Sequence, residues 1–255
     1  MTGQAVLYRK DGKIAVISFN RPERLNAVNT TLLRELMAGL QEARKDPGVS
    51  VVVLTGEGRA FCAGEDLKET SEGKDPATWI EETERYQEVA RIILKLGKPI
   101  IAAVPGYALG AGCEFAMCCD IRIAADEAFF GFPETGVGLT VTTAGTKLLT
   151  QLVGLGKAKE LVFTGEFVDA GTAERIGLAN RVVPRDRLME EALETARKIA
   201  ERSPLSLKLS RIALDQGMES SLEQTLELEA CHLMLCIQSQ NQDSFVKKKL
   251  EEIKK

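Results

Sequence analysis

Two glutamates stand apart from every other charge in their stretch of this chain. Between Lys98 and Asp120 the only charged residue is Glu114, and between Glu127 and Lys147 the only charged residue is Glu134. A carboxylate in apolar surroundings is costly to ionise, so its pKa rises toward neutrality. That property suits a general acid or base working near pH 7. Each glutamate also has a structural explanation. Glu114 follows Gly110-Ala111-Gly112 in the expected first turn of a helix, where any carboxylate gains from the macrodipole. Glu134 follows Pro133 in a loop, where it can simply face water. Spacing by itself does not bring the two together.

Two glycine-bearing turns add a second kind of chemistry. Ala60-Phe61-Cys62-Ala63-Gly64-Glu65-Asp66-Leu67 follows the apolar run 51–54, and Gly106-Tyr107-Ala108-Leu109-Gly110-Ala111-Gly112 follows the run 99–104. Ligands in open α/β folds gather at the carboxyl ends of such strands. Small residues there admit a ligand close to the backbone, and one N–H from each turn can receive a developing oxyanion. Neither a G-x-G-x-x-G fingerprint nor a G-x-x-x-x-G-K-[ST] loop is present, so dinucleotide and P-loop readings lack support.

Other catalytic constellations are poorly supplied. The six cysteines, Cys62, Cys113, Cys118, Cys119, Cys231 and Cys236, form no C-x-x-C pair, and most sit in apolar runs as small core residues. The single histidine, His232, lies in a helical stretch far from any glycine turn, so no metal site and no histidine-dependent triad is expected.

The elements that must position these residues follow from periodicity. A hairpin is expected around Asp11-Gly12, with Ile14, Val16 and Ser18 on one face. Leu32, Leu33, Leu36, Met37 and Leu40 recur at helical spacing over 31–43. The runs 50–55, 99–104 and 120–125 read as strands buried on both faces, with helices over about 79–96 and from near Gly112 between them. Strands separated by helices predict an α/β fold with a mainly parallel sheet. After about Arg187 the pattern becomes helical, with breaks at Ser203-Pro204 and near Gly217. The expected division is a core over 1–190 and a helical C-terminal region over 191–255. Met234, Leu235 and Cys236 make this tail more apolar than a lone surface helix needs; burial within the chain and contact with another subunit explain that equally well.

Length and charge set outer limits. The 255 residues are 44% hydrophobic and 27% charged, with a formal net charge of −4 that disfavours a broad basic surface for nucleic acid. Met1-Thr2-Gly3-Gln4-Ala5 lacks a signal-peptide pattern. The longest uncharged stretch, Pro99 to Cys113, has 15 residues and is too short to span a bilayer. A cytoplasmic protein that does not span a membrane is the expectation.

Taken in order, these segments closely resemble the crotonase family, the enoyl-CoA hydratase and isomerase superfamily. The likeness covers nearly the whole chain. It includes Asn20-Arg21-Pro22-Glu23-Arg24-Leu25-Asn26-Ala27, Phe61-Cys62-Ala63-Gly64-Glu65-Asp66-Leu67, Lys98-Pro99-Ile100-Ile101-Ala102-Ala103-Val104 and the turn Gly106 to Glu114. It continues through Cys119-Asp120-Ile121-Arg122-Ile123-Ala124, Phe130-Gly131-Phe132-Pro133-Glu134 and Leu161-Val162-Phe163-Thr164-Gly165. The resemblance implies a crotonase-like α/β spiral of ββα turns, with a C-terminal helical region that mediates trimerisation, often as a dimer of trimers. It implies an acyl-CoA substrate, coenzyme A entering as part of that substrate with no further cofactor, and a homotrimer or homohexamer. By position, the backbone N–H groups of Glu65 and Ala111 form the oxyanion hole. Asp66, Leu67 and Lys68 fall where the family's main chain lines the CoA channel, and Ala63 matches an adenine-contacting position. Arg24 and Leu25 lie in the segment that borders the CoA, where Arg24 meets either a phosphate or solvent.

Glu114 and Glu134 match both glutamates of the hydratases. The resemblance therefore implies reversible hydration of a 2-enoyl-CoA to a 3-hydroxyacyl-CoA, with Glu134 protonating C2 while Glu114 activates or orients the water. A Δ3,Δ2-enoyl-CoA isomerase needs only one acid/base and is the enzyme alternative. A non-catalytic module, for instance one binding RNA, fits the acidic balance poorly. One segment departs from the family pattern. Where many members read Gly-x-x-Pro-Gly-Ala-Gly-Gly-Thr, this chain reads Gly138-Leu139-Thr140-Val141-Thr142-Thr143-Ala144-Gly145-Thr146. This loop is expected to border the acyl pocket and to suit a branched, cyclic or functionalised acyl group. The lysines Lys247-Lys248-Lys249 and Lys254-Lys255 are read as a solvated helix end, or as contacts to CoA phosphates across subunits.

Overall fold

A computed structural model describes residues 4–66, 68, 73, 75–239 and 242–253. The chain opens with the antiparallel hairpin β1 (Val6–Asp11) and β2 (Ile14–Phe19), turning at Gly12. The sequence predicted one buried face on β2. Instead every β2 residue is buried, Ala15, Ile17 and Phe19 as well as Ile14, Val16 and Ser18. The reason is topological: β2 sits between β1 and the parallel strand β3 (Val51–Gly56), and helices cover both faces of the sheet. One of these is α1 (Thr30–Lys45), which buries Leu32, Leu33, Leu36 and Leu40. It is capped by Asn29, whose side chain accepts from the Leu32 N–H at 2.9 Å.

From β3 onward one unit repeats. β3 and β4 (Ala60–Cys62) precede α2 (Pro76–Leu94); β5 (Ile100–Val104) and β6 (Tyr107–Leu109) precede α3 (Ala111–Cys118). β7 (Ile121–Ala125) and β8 (Phe129–Gly131) precede α4 (Gly145–Val153). The first strand of each unit enters a six-stranded sheet ordered β1-β2-β3-β5-β7-β10, closed by β10 (Arg181–Val183). The second enters a four-stranded sheet ordered β4-β6-β8-β9, closed by the antiparallel β9 (Val168–Asp169). This is the spiral of ββα turns that the resemblance implied. Of the strands of the smaller sheet, β4 and β6 fall within the two glycine turns and β8 and β9 were not read from periodicity, because two or three residues are too few for a period-2 signal.

Alternation within the larger sheet divides the core in two. Val52, Leu54, Ile100, Ala102, Val104 and Ala124 face the main cluster, shared with α1, α2, α3 and the smaller sheet. Val51, Val53, Ile101, Ala103, Ile123 and Ala125 face a second cluster. That second face is covered by α7 (Leu188–Ala200) through Leu188, Ala192 and Ala196. Of the intervening helices, α5 (Leu155–Thr164) packs on α4 and on the turn that holds Glu134, and α6 (Ala170–Arg175) packs on β8 and β9 of the smaller sheet.

The remaining helices are α8 (Pro204–Gly217), α9 (Leu222–Gln238) and α10 (Gln242–Ile253), with α8 packed on α9. Arg211 of α8 anchors this region, its guanidinium meeting Asp120 at 2.6 Å while Asp120 accepts from the Ile100 N–H at 2.7 Å. Leu233, Met234 and Leu235 are exposed, so burial within the chain does not account for the apolar tail.

Candidate active site

The smaller sheet assembles the site. β4, β6 and β8 are parallel neighbours, with Cys62 opposite Ala108 and Leu109 opposite Gly131. Their carboxyl ends therefore lie along one edge, and each is followed by a residue singled out from the sequence: Glu65 after β4, Ala111 after β6, Glu134 after β8. The first two turns touch. A Cβ built on Gly64 would lie 2.9 Å from the Leu109 carbonyl oxygen and 3.7 Å from the Ala111 nitrogen. Glu134 reaches the same place, its Oε1 being 3.3 Å from a Cβ built on Gly110.

The orientation of the two backbone N–H groups follows from local pairing. Val28 donates to the Gly64 carbonyl at 2.7 Å, and Asp66 donates to the Val28 carbonyl at 3.0 Å. In this parallel bridge Glu65 is the intervening residue, so its own N–H points to the side away from Val28. Ala111 is the first residue of α3, where N–H groups have no acceptor within the helix.

Glu114 lies one turn into α3 and is 2% exposed. Its Oε1 accepts from the Thr143 N–H at 2.6 Å and from the Gly145 N–H at 3.2 Å, at the start of α4. Burial pushes its pKa up to about 7; the Thr143 N–H opposes that rise and the nearby Glu134 charge adds to it. Burial likewise raises Glu134, whose carboxylate oxygens are buried with no hydrogen-bond partner among the described atoms. Glu65, Ala111, Glu114 and Glu134 line one cavity of about 450 Å³. Two carboxyls with raised pKa thus line the same cavity as Glu65 and Ala111, an arrangement that can bring an acid and a base to one small molecule.

The residues expected at coenzyme A divide. Ala63 lines the cavity, and its N–H donates to the Leu25 carbonyl at 3.0 Å, which places Leu25 directly behind the rim. Arg24 is exposed outside the cavity, as is Lys68. Asp66 is buried and turned inward: its carboxylate pairs with Arg21 at 2.9 Å and accepts from the Lys68 N–H at 3.3 Å. Leu67 lies outside the described residues, as do Lys254 and Lys255. In the segment 20–27 the structurally committed residues are Arg21 and Asn26. Fully buried Asn26 accepts from the Arg21 N–H at 2.8 Å and donates to the Ala60 carbonyl at 2.8 Å.

Sequence reasoning missed one wall of the cavity. Trp79, Glu82, Thr83 and Tyr86 of α2 line it, together with Leu139 and Thr142 of the loop that departs from the family pattern. A helical period locates α2 but does not say which of its polar residues meets a site. The loop does border the cavity as expected. It also holds Glu114 through Thr143 and Gly145, a role that the sequence did not disclose.

Other chemistries find no support at this site. Burial raises the thiols of Cys62, Cys113, Cys118 and Cys119, that of Cys62 to about 12, as befits inert core residues. His232 lies on α9 and does not line the cavity. Among the described residues no cluster of three His, Cys, Asp or Glu side chains is arranged to hold a metal ion, and no helix is long and apolar enough to cross a membrane.

Known proteins share both sequence and shape with this chain. The enoyl-CoA hydratase/isomerase family model matches residues 9–252. A short-chain-enoyl-CoA hydratase of Clostridium acetobutylicum is 42% identical over 93% of this chain and 91% of its own length. A crotonyl-CoA hydratase of Syntrophomonas wolfei is 39% identical over 95% and 93%. The crystal structure of an enoyl-CoA hydratase from Bacillus anthracis superimposes with a TM-score of 0.94 at 33% identity, covering 98% of this chain and 97% of that one. The chain belongs to the enoyl-CoA hydratase/isomerase family.

Proposed function

We propose that this protein is an enoyl-CoA hydratase, a hydro-lyase that adds water reversibly across the C2–C3 double bond of a 2-enoyl-CoA. The observation that carries this reading is the convergence of Glu114 and Glu134, both with raised pKa, on one cavity beside the Glu65 and Ala111 N–H groups. The thioester oxygen sits between those two donors, which stabilise the negative charge it gains as water attacks C3. Glu114, ionised, takes a proton from the water; Glu134, protonated, delivers one to C2. One carboxyl gains a proton as the other loses one, so the pair needs mutually adjusted pKa values; whenever Glu134 is ionised, its charge raises Glu114. Water adds across the bond without oxidation or reduction, so coenzyme A enters as part of the substrate and no further cofactor is required.

Coenzyme A runs out past Ala63, with Leu25 behind it; Arg24 and Lys68 are the cations of this rim nearest in sequence to the cavity-lining residues. The exposed apolar residues of α8, α9 and the turn between them, including Leu214, Met218, Leu222 and Leu233, are the contact of a homotrimer or a dimer of trimers. On this reading residues 1–190 are the catalytic core and 191–255 the assembly region. The six unpaired cysteines suit a reducing cytoplasm.

The direct test is product mass from a panel of enoyl-CoAs. Hydration adds one water. Unchanged mass with a moved double bond would make the protein an isomerase, and release of free coenzyme A a hydrolase.

A further inference from the structure

Glu65 brings two groups to the cavity. Its backbone N–H faces the site proposed for the thioester oxygen, and its side chain carries a carboxylate. A negative charge near that oxygen opposes the charge developing there in the transition state. The carboxylate is met by Tyr86 of α2, whose phenol O–H donates to Glu65 Oε2. The Tyr86 ring is fixed in turn by stacking on Phe115 of α3, with centroids 6.1 Å apart and planes 18° from parallel. Burial first, and the Glu65 charge second, hold the phenol well above its ordinary pKa of 10, so it keeps its proton and acts as the donor.

We propose that Tyr86 is a positioning residue for hydration: by binding the Glu65 carboxylate on the helix wall, it keeps that charge off the thioester oxygen while the Glu65 N–H polarises it. This rests on the hydratase reading of the cavity. A plain structural tie between α2 and the β4 turn predicts something different. It is broken equally by removing either partner, so the two single variants and the double variant would behave alike. The electrostatic role predicts rescue, because removing the carboxylate removes the need for the phenol.

The test uses the full chain as wild type, Tyr86→Phe, Glu65→Ala and the double variant, each checked by thermal melting. Tyr86→Phe keeps the ring on Phe115, and Glu65→Ala keeps the backbone N–H. Two readouts are taken: kcat and KM on a short enoyl-CoA, and the absorbance of bound dimethylaminocinnamoyl-CoA, which moves to longer wavelength as its carbonyl is polarised. Tyr86→Phe is expected to lower kcat roughly tenfold or more, on the scale of a lost hydrogen bond to a charged group, with little change in KM. Adding Glu65→Ala to Tyr86→Phe is expected to raise kcat again by about fivefold or more. The red shift should shrink and recover in the same order. Equal kcat in Tyr86→Phe and the double variant, or an unaltered Tyr86→Phe enzyme, overturns the proposal. If the wild type hydrates no enoyl-CoA but still red-shifts the bound chromophore, the hydratase reading fails and the shift alone decides the role of Tyr86. A protein that binds no CoA thioester overturns both.

Discussion

The Glu114 carboxylate is held by the backbone N–H of Thr143, 29 residues further along the chain, through a 2.6 Å hydrogen bond. Two opposing effects meet in this contact. Burial raises the cost of ionising Glu114, while the Thr143 and Gly145 N–H groups at the start of α4 favour the ionised form. Burial prevails, and the carboxyl titrates near neutrality.

Stability should carry the trace of that balance. The folded pKa of Glu114, about 7, lies above its ordinary 4.5. The folded state therefore binds the proton more tightly, and this contribution is full below about 4.5 and lost as pH rises through about 7. Glu114→Gln removes the ionisation. It is expected to stabilise the protein at pH 8 by at most about 3 kcal/mol, and not at pH 4.5, when unfolding is followed in denaturant. An equal effect at both pH values would show that desolvation does not control this carboxyl.

Rates should follow the same group. If Glu114 is the base, kcat/KM rises with pH through about 7 as it ionises. Either Glu114→Gln or Glu134→Gln should lower kcat by roughly 10²–10⁴-fold, and Glu114→Gln should also abolish that ascending limb. Full activity in both variants would remove the pair from the mechanism.

Gly145 is the tightest point in the support of Glu114. A Cβ there would lie 2.6 Å from Glu114 Oε1 and 2.6 Å from Val141 Cγ1. Gly145→Ala is expected to lower stability by about 1–3 kcal/mol through overpacking and to cut kcat about tenfold or more. Gly156→Ala is the control: it lies within α5, where an added Cβ meets no atom within 4 Å. That change should be neutral or stabilising by up to about 1 kcal/mol.

Cavity charge should set acyl selectivity. The described lining includes Glu65, Glu82, Glu114 and Glu134 and no lysine, arginine or histidine. An acyl chain ending in a carboxylate would meet like charge and no cation among the described lining residues. In competition assays a neutral short-chain enoyl-CoA should be preferred over its carboxylate-ended counterpart by roughly tenfold or more, the equivalent of about 1.4 kcal/mol. Glu82→Gln should narrow the gap.

What the sequence determined by itself is local. The isolation of Glu114 and Glu134, the apolar runs that became β3, β5 and β7, and the glycine turns were readable because each signal lies within a few neighbouring residues. The family resemblance carried by the ordered motifs added the spiral and the expectation that the Glu65 and Ala111 N–H groups act as oxyanion donors. Tertiary structure decided the rest. Glu65, Ala111 and Glu134 meet because β4, β6 and β8 pair in parallel across intervals that no periodicity spans. The hold of Thr143 on Glu114, the turn of Asp66 toward Arg21 and the grip of Tyr86 on Glu65 all join residues at least 21 positions apart. Such contacts depend on how the sheets stack and where each helix lands, which is why periodicity and spacing could pick out two solitary carboxylates but only the family resemblance implied that they share a site.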